Sequence, residues 1–256
     1  MLRLLFDADM LVYRVTSAAE TEVNWYGDLW TLHSDISECK EKLDSMVVSI
    51  TDRVLNHLKY EGNYEIVMCF SDYRNFRKTI LPSYKANRSG KRKPLAYSSM
   101  VDWVGENFTC KCIECLEADD VIGILATEPE TNNVIISGDK DMRSIPGLFY
   151  DLIHNEFYEV SKDEAQRWHY YQTLVGDTAD NYKGCPKVGT VGANKILDAE
   201  CSWDAVVKAF EKAGLSEDEA LVQARVAKIL QWEDYELNNK AVVLWTPKDT
   251  HMQEDN

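Results

Sequence analysis

A chain of 256 residues is long enough for one large α/β domain or a domain with a smaller appendage, and its 45% hydrophobic content excludes intrinsic disorder. No apolar run approaches the roughly 18 residues of a membrane span, and residues 2–6 meet a charge without a basic leader, so the chain reads as soluble and cytoplasmic, with no membrane partner. The net charge of −15 argues against a polyanionic partner until its distribution is seen: residues 73–101 hold Arg74, Arg77, Lys78, Lys85, Arg88, Lys91, Arg92 and Lys93 and no acid, a basic insert in an acidic body.

In chain order, residues 2–6 form a β-rich run ending on Asp7. Over 34–60, Leu43, Val47, Ile50, Val54 and Leu58 recur every three or four residues, which predicts an amphipathic helix, with Asp35 and Glu38 as a capping box. Residues 64–70 predict a strand that stops near Asp72. A helix follows over 97–108, then a short strand carrying Cys110 and Cys112. With Cys115 these thiols lack the second ligand pair of a structural zinc site, and seven cysteines without a regular framework fit a reducing compartment. A helix over 117–126 and a strand over 133–137, ending at Gly138–Asp139, complete an alternation that predicts an α/β fold with a mostly parallel central sheet flanked by helices.

The pattern changes near Ser161. Residues 162–175 read as helical, 176–192 are punctuated by glycine, and short helices run to about 244, with 241–245 ambiguous between strand and coil. These readings divide the chain into a core over 1–160 with a basic loop at 73–100, a helical domain over 161–247, and a polar tail over 248–256 read as disordered.

Three strands end in acids: Asp7 (with Asp9), Asp72, and Asp139 (with Asp141). The carboxyl ends of parallel strands share one edge, where ligands bind, so these acids are expected to converge. Glu117, Asp119 and Asp120 add three more at a helix start. So many carboxylates are tolerable together only around cations, and all-oxygen ligation suits Mg²⁺ or Mn²⁺. Asp177 and Asp180, one helical turn apart, are expected to face one direction.

In the basic segment, Arg77, Tyr84, Lys85 and Arg88 mix cations with aromatics, a combination suited to single-stranded nucleic acid. Residues 183–195 place Lys187, Gly189, Gly192 and Lys195 just before a predicted helix, where glycines let amides approach a phosphate. This is no Walker loop, because Gly-Lys-Ser/Thr is missing.

Taken together, the blocks Asp7–Ala8–Asp9, Ser71–Asp72 with Phe76–Arg77, Tyr84–Lys85–Ala86–Asn87–Arg88, Glu117–Ala118–Asp119–Asp120, Ser137–Gly138–Asp139–Lys140–Asp141 and Gly176–Asp177–Thr178–Ala179–Asp180–Asn181 with the Gly189–Gly192 turn resemble the flap endonuclease family. They are most similar to the bacteriophage 5′–3′ exonucleases. The resemblance implies a PIN-like nuclease core and a C-terminal helix-hairpin DNA-binding domain. It implies one Mg²⁺ or Mn²⁺ ion held mainly by Asp7, Asp72, Glu117, Asp119 and Asp139, and a second near Asp141, Asp177 and Asp180. Asp120 and Asp139 would stand close to both. It implies that Lys85 and Arg88, on a mobile arch, grip the scissile phosphate, and that Arg77 and Tyr84 also meet DNA. The glycine turn would hold the duplex backbone, and in some members a K⁺ ion. A monomer acting on DNA with a free 5′ end or 5′ flap is implied, with RNA–DNA hybrid as a further substrate, in the host cytoplasm if phage-encoded. Three other readings of the residues remain: a PIN-type RNase, a HAD-type phosphatase using Asp7 as nucleophile, and a DNA-binding protein without catalysis. The second has Leu11 where its motif wants Thr or Val.

Overall fold

The structure, a computed structural model, describes residues 1–247; the expected disordered tail lies outside the described residues. In chain order the elements are β1 (Leu2–Asp7), α1 (Ala8–Ala18), β2 (Glu20–Tyr26), β3 (Leu29–Ser34), α2 (Ile36–Leu58), β4 (Tyr64–Phe70), α3 (Arg77–Ile80), α4 (Tyr97–Asn107), β5 (Thr109–Cys112), α5 (Ala118–Ala126), β6 (Asn132–Ser137), β7 (Gly147–Asp151) and β8 (Glu156–Val160). Then follow α6 (Lys162–Val175), α7 (Thr190–Ala199), α8 (Trp203–Lys212), α9 (Glu217–Ala227) and the short ribbon of β9 (Tyr235–Glu236) and β10 (Ala241–Val242). Among the described residues no helix is long and apolar enough to cross a membrane.

The main sheet has the order β5-β4-β1-β6-β7-β8. All neighbours are parallel except the last pair, β7 with β8. Strand periodicity sorts the side chains: Leu4, Phe6, Met68, Phe70, Val134 and Ile136 face one way and pack under α1, α2 and α4. Leu5, Val67, Cys69, Ile135 and Phe149 face the other way and pack under α5. The chain builds β4 and β5 on one side of β1 and then crosses to β6 on the other. The carboxyl ends of β1 and β6 therefore flank a topological switch point, the place where open α/β sheets bind ligands.

The expected helix over 34–60 is α2, yet its cap differs from the expected box. Asp35 accepts the Ser37 amide at 2.8 Å, while Glu38 turns to Lys42 at 2.5 Å. The hairpin β2–β3 and the strands β7 and β8 are additions to the sequence reading. The hairpin buries nothing strongly: Trp25, Tyr26, Leu29 and Trp30 are all exposed, so no burial pattern marks it.

Helices α6 to α9 gather around their own core of Leu174, Leu197, Trp203, Val206, Phe210 and Ala224. After α9 the chain returns to the sheet, and Ile229, Leu230 and Tyr235 join the core beneath α5. The helical region is thus stitched back onto the sheet rather than hung from a linker. Gly123 on α5 permits this return, since a Cβ there would stand 2.2 Å from the Leu230 carbonyl oxygen. In a free helix Gly123→Ala would stabilise by about 1 kcal/mol. Here it is expected to lower stability by about 1–3 kcal/mol through overpacking. A urea midpoint unchanged or raised in the variant would contradict this close approach.

Candidate active site

Asp7 ends β1, and its buried carboxylate accepts the Met10 amide at 3.1 Å and the Ser137 hydroxyl at 2.8 Å. Ser137 belongs to β6, so one serine locks the two central strand ends together. Asp139 lies two residues beyond β6 and accepts the Asp141 amide at 2.9 Å. Asp119 sits in the first turn of α5. Two of these three carboxylates are raised in proton affinity. Burial, with the charges of Asp9 and Asp139, pushes Asp7 up to about 6. Burial, with Asp7 and Asp139, raises Asp119 well above the carboxylate range.

On either side of this group stands a pair of acids bridged by a lysine. Lys85 lies between Glu117, which it contacts closely, and Asp180 at 3.4 Å. The Tyr84 hydroxyl donates to the same two carboxylates at 2.8 and 2.9 Å. Burial opposes the charge on Glu117, but Lys85, Arg77 and the Tyr84 hydroxyl outweigh it and hold the group at about 2. Lys140 lies between Asp141 at 2.9 Å and Asp177 at 3.6 Å. Asp141 is nonetheless pushed up to about 6, by burial and by Asp139.

Asp177 and Asp180 do not face one direction as the one-turn spacing suggested. They sit on a tight turn closed by mutual backbone bonds between Asp177 and Tyr182. Asp177 looks toward Lys140, and Asp180 toward Lys85 and Arg88. Two glycines close the loop back to back. Gly176 and Gly184 both have positive φ, and a Cβ on either would fall within 2.4 Å of the other's backbone stretch.

Two further expectations are corrected, those for Arg77 and Tyr84, and two further carboxylates, Asp120 and Asp72, are engaged by the fold. Arg77 is no DNA contact: it is 2% exposed and fully occupied. Its guanidinium pairs with Asp120 at 2.6 and 2.7 Å, and it donates to the carbonyls of Val226 and Lys228. Asp120 is the carboxylate that neutralises Arg77. It is wholly buried, and beyond Arg77 it accepts the amides of Leu230 and Glu117. Tyr84 is 3% exposed and points inward, so it cannot stack on a base. Asp72 is engaged through one oxygen, Oδ2, by the Cys115 amide at 2.7 Å and Arg74 at 3.4 Å, contacts that hold it below its ordinary value. Asp9 is likewise engaged, by the Ser71 amide and the Tyr97 hydroxyl.

Residues 83–88 of the basic segment are docked on the loop after α6. The Lys85 amide donates to the Asp180 carbonyl, Asn181 to the Ser83 carbonyl, and Asn87 to the Thr178 carbonyl. Arg74, Arg77, Lys85, Arg88 and Arg92 each pair with an acid, so most of the positive charge counted in the sequence is already neutralised. At the glycine turn, Lys187, Gly189 and Lys195 are exposed, and space around Gly189 is open. Gly192 lies in the first turn of α7.

A description of the 5′-3′ exonuclease N-terminal, resolvase-like domain matches residues 3–166. The exodeoxyribonuclease of Enterobacteria phage T3 is 30% identical across 96% of this chain and 93% of its own length. The exonuclease of Escherichia phage T7 is 30% identical across 95% and 93%. The chain belongs to the 5′-3′ exonuclease family. Its fold is that of the bacteriophage T5 flap endonuclease, solved with DNA and metal ions, at a TM-score of 0.63 and 13% identity over 90% of this chain and 89% of that one. Membership of this nuclease family leaves the phosphatase reading of Asp7–Ala8–Asp9 without support.

The family implies divalent cations, and the donor set fits them. Asp7, Asp119 and Asp139 are hard oxygen donors, and burial and neighbouring carboxylates raise Asp7 and Asp119 despite the charge of Lys85 near Asp119. Among the described residues, however, no three acidic, histidine or cysteine side chains already stand in ligating geometry. Lys85 and Lys140 hold the flanking carboxylates instead.

Two predictions follow from these charges. Arg77→Ala and Asp120→Ala should each cost about 3–5 kcal/mol, since each strands a buried charge, while the double variant should cost less than the sum. Denaturant unfolding checks this, and unchanged stability would restore Arg77 to the surface. Asp7 titrates at about 6 when folded against 3.8 when free, so in EDTA it opposes folding increasingly as pH rises through that interval. Asp7→Asn should therefore gain stability relative to wild type between about pH 4 and pH 7. A difference that stays flat with pH would count against the crowded carboxylates.

Proposed function

We propose that this chain is a 5′-nuclease that hydrolyses DNA phosphodiester bonds with two divalent cations, Mg²⁺ or Mn²⁺, as a 5′-3′ exonuclease, at 5′ flaps, or both. The observation that carries the reading is the crowding of Asp7, Asp119 and Asp139 between two lysine-bridged acid pairs at one sheet edge. Asp7, Glu117, Asp119 and Asp139 would hold one ion, and Asp141, Asp177 and Asp180 the other, with Asp139 adjoining both. Asp72, engaged through one oxygen only, would join the first ion, and Asp120, paired with Arg77, would stand behind both. Ions bound there supply a hydroxide-like water at neutral pH and charge for the leaving oxygen.

The chain's own groups do the rest. Ser137 orients Asp7. Lys85 and Arg88 are cations at the carboxylate edge, resting on Glu117 and Asp180, and an arriving phosphate offers them an alternative anion. Lys187 and Lys195, with the open Gly189–Gly192 turn, would meet the duplex backbone, and a K⁺ ion there would add to that contact. Such an activity suits phage DNA replication or breakdown of host DNA.

The test is cleavage of a 5′-labelled duplex and a 5′-flap substrate, with Mg²⁺ and with EDTA. Metal-dependent release of short 5′ products is expected from wild type. Asp139→Asn should abolish cutting while DNA binding persists. Lys85→Ala should lower kcat by roughly 10²-fold, more than it raises KM. Binding without cleavage by wild type would leave only a DNA-binding protein, and a preference for single-stranded RNA would make it a PIN-type RNase.

A further inference from the structure

The turn that joins β7 to β8 stands at the carboxylate edge, and two contacts fix it there. The Leu152 amide donates to the Ser137 carbonyl at 2.9 Å, extending the pairing of β7 with β6. Ile153 and Met10 both close on Gly138, where a Cβ would stand 2.9 Å from each side chain. Ser137 is also the residue whose hydroxyl orients Asp7, so the turn is held in register with the acids. The next residue of the turn, His154, lines an open cleft together with Asp7, Asp139, Lys140 and Arg143. Neither Lys85 nor Arg88 lines it.

The His154 ring is held by a buried acid. Asp151 is 3% exposed, and its Oδ1 accepts the turn amides of Ile153 at 2.8 Å and His154 at 3.1 Å. Those two bonds close an Asx turn by themselves. The other oxygen lies 2.8 Å from Nδ1 of His154, although that imidazole is exposed. Burial opposes the charge on Asp151, but the ring and the two amides outweigh it and hold the group below its ordinary value. An ionised carboxylate can only accept, so Nδ1 carries the proton of this pair. The ring is thereby oriented with Nε2 left free of Asp151, an arrangement that closing the turn does not require.

A protonated ring in this position offers one charged N–H, and such donors pair strongly with anionic oxygens. We propose that His154, positioned by Asp151, contacts through Nε2–H a backbone phosphate of the bound DNA, adjoining the scissile one. The proposal rests on the nuclease reading above. Lys140 and Arg143 favour a phosphate over a base, since both bring positive charge to the same cleft. The other charges about the ring are Asp7 and Asp139 across the cleft, Glu156 opposite Asp151 on β8, and Arg53 of α2 at Asn155. This contact would come from the sheet side of the edge, whereas Lys85 and Arg88 approach from the basic segment.

The test walks one uncharged methylphosphonate linkage along both strands of a 5′-labelled duplex, near the labelled end. It measures kcat/KM with Mg²⁺ at about pH 6.5 and pH 8.5 for wild type, His154→Gln and His154→Arg, and the melting temperature of each. At one linkage other than the scissile one, wild type should lose roughly tenfold at the lower pH and less at the higher. His154→Gln should lose about as much on unmodified DNA at the lower pH and be indifferent to that linkage. His154→Arg, charged at both pH values, should keep the sensitivity at both. Asp7 also titrates at about 6, but it acts on modified and unmodified DNA alike and leaves these ratios unchanged. His154→Gln should melt with wild type, because the turn amides still bond Asp151. The proposal is overturned if His154→Gln stays as sensitive as wild type at every linkage. A lower melting temperature with equal losses on all substrates would also overturn it, by confining His154 to the turn. Wild type that cuts the duplex but ignores every methylphosphonate outside the scissile linkage removes this proposal alone. Wild type that cuts nothing removes the nuclease reading, and the proposal with it.

Discussion

Repulsion among carboxylates at one edge of the sheet is the constraint on which the rest of this structure depends. Parallel strands deliver their carboxyl ends to a common edge, and here β1 and β6 each deliver an acid. Asp7 is fixed by the strand pairing and by Ser137, Asp139 follows just beyond β6, and Asp119 is held near them by α5. The protein therefore keeps anions close together in a place where Asp7 and Asp119 are hard to ionise. That is an unfavourable arrangement for a stable fold and a favourable one for capturing cations.

Neutralisation is graded across the site. At its outer ends, Lys85 and Lys140 bridge acid pairs, and Tyr84 adds hydrogen bonds that need no charge. In the second layer, Arg77 balances Asp120 completely and is sealed from water. At the centre, among the described residues, Asp7, Asp119 and Asp139 form no direct ion pair, and Lys85 offsets Asp119 only in part. The same contacts that grade the charge also join the two halves of the molecule, because Lys85 and Tyr84 come from the basic segment and Asp180 from the loop after α6. Glycine at 176 and 184 lets that loop close tightly enough to bring Asp177 and Asp180 to separate ends of the row.

Periodic burial made much of this legible in the sequence. Residues 64–70 and 162–175 match β4 and α6 because their apolar spacing reports packing directly. The β2–β3 hairpin escaped because its aromatics face solvent, and β7–β8 escaped because short strands after a turn carry too few residues to show a period. At the site, the acids at strand ends were visible as a set, but their partners were not. A sequence counts charges without pairing them. Arg77 and Arg88 look alike in the basic segment, yet one is buried against Asp120 and the other half exposed beside Asp180. Similarly, nothing local separates Asp119 from Asp120. Only the return of residues 226–230 to the sheet decides which of the two is occupied.

That return segment also sets the order in which a growing polypeptide can become an enzyme. Arg77 and Asp120 are made early, but they complete their bonds only with the carbonyls of Val226 and Lys228 and the amide of Leu230. Until residues 226–230 have been made, the layer beneath Glu117 lacks these partners. The support beneath the carboxylate edge thus depends on residues made 110 to 151 positions later in the chain.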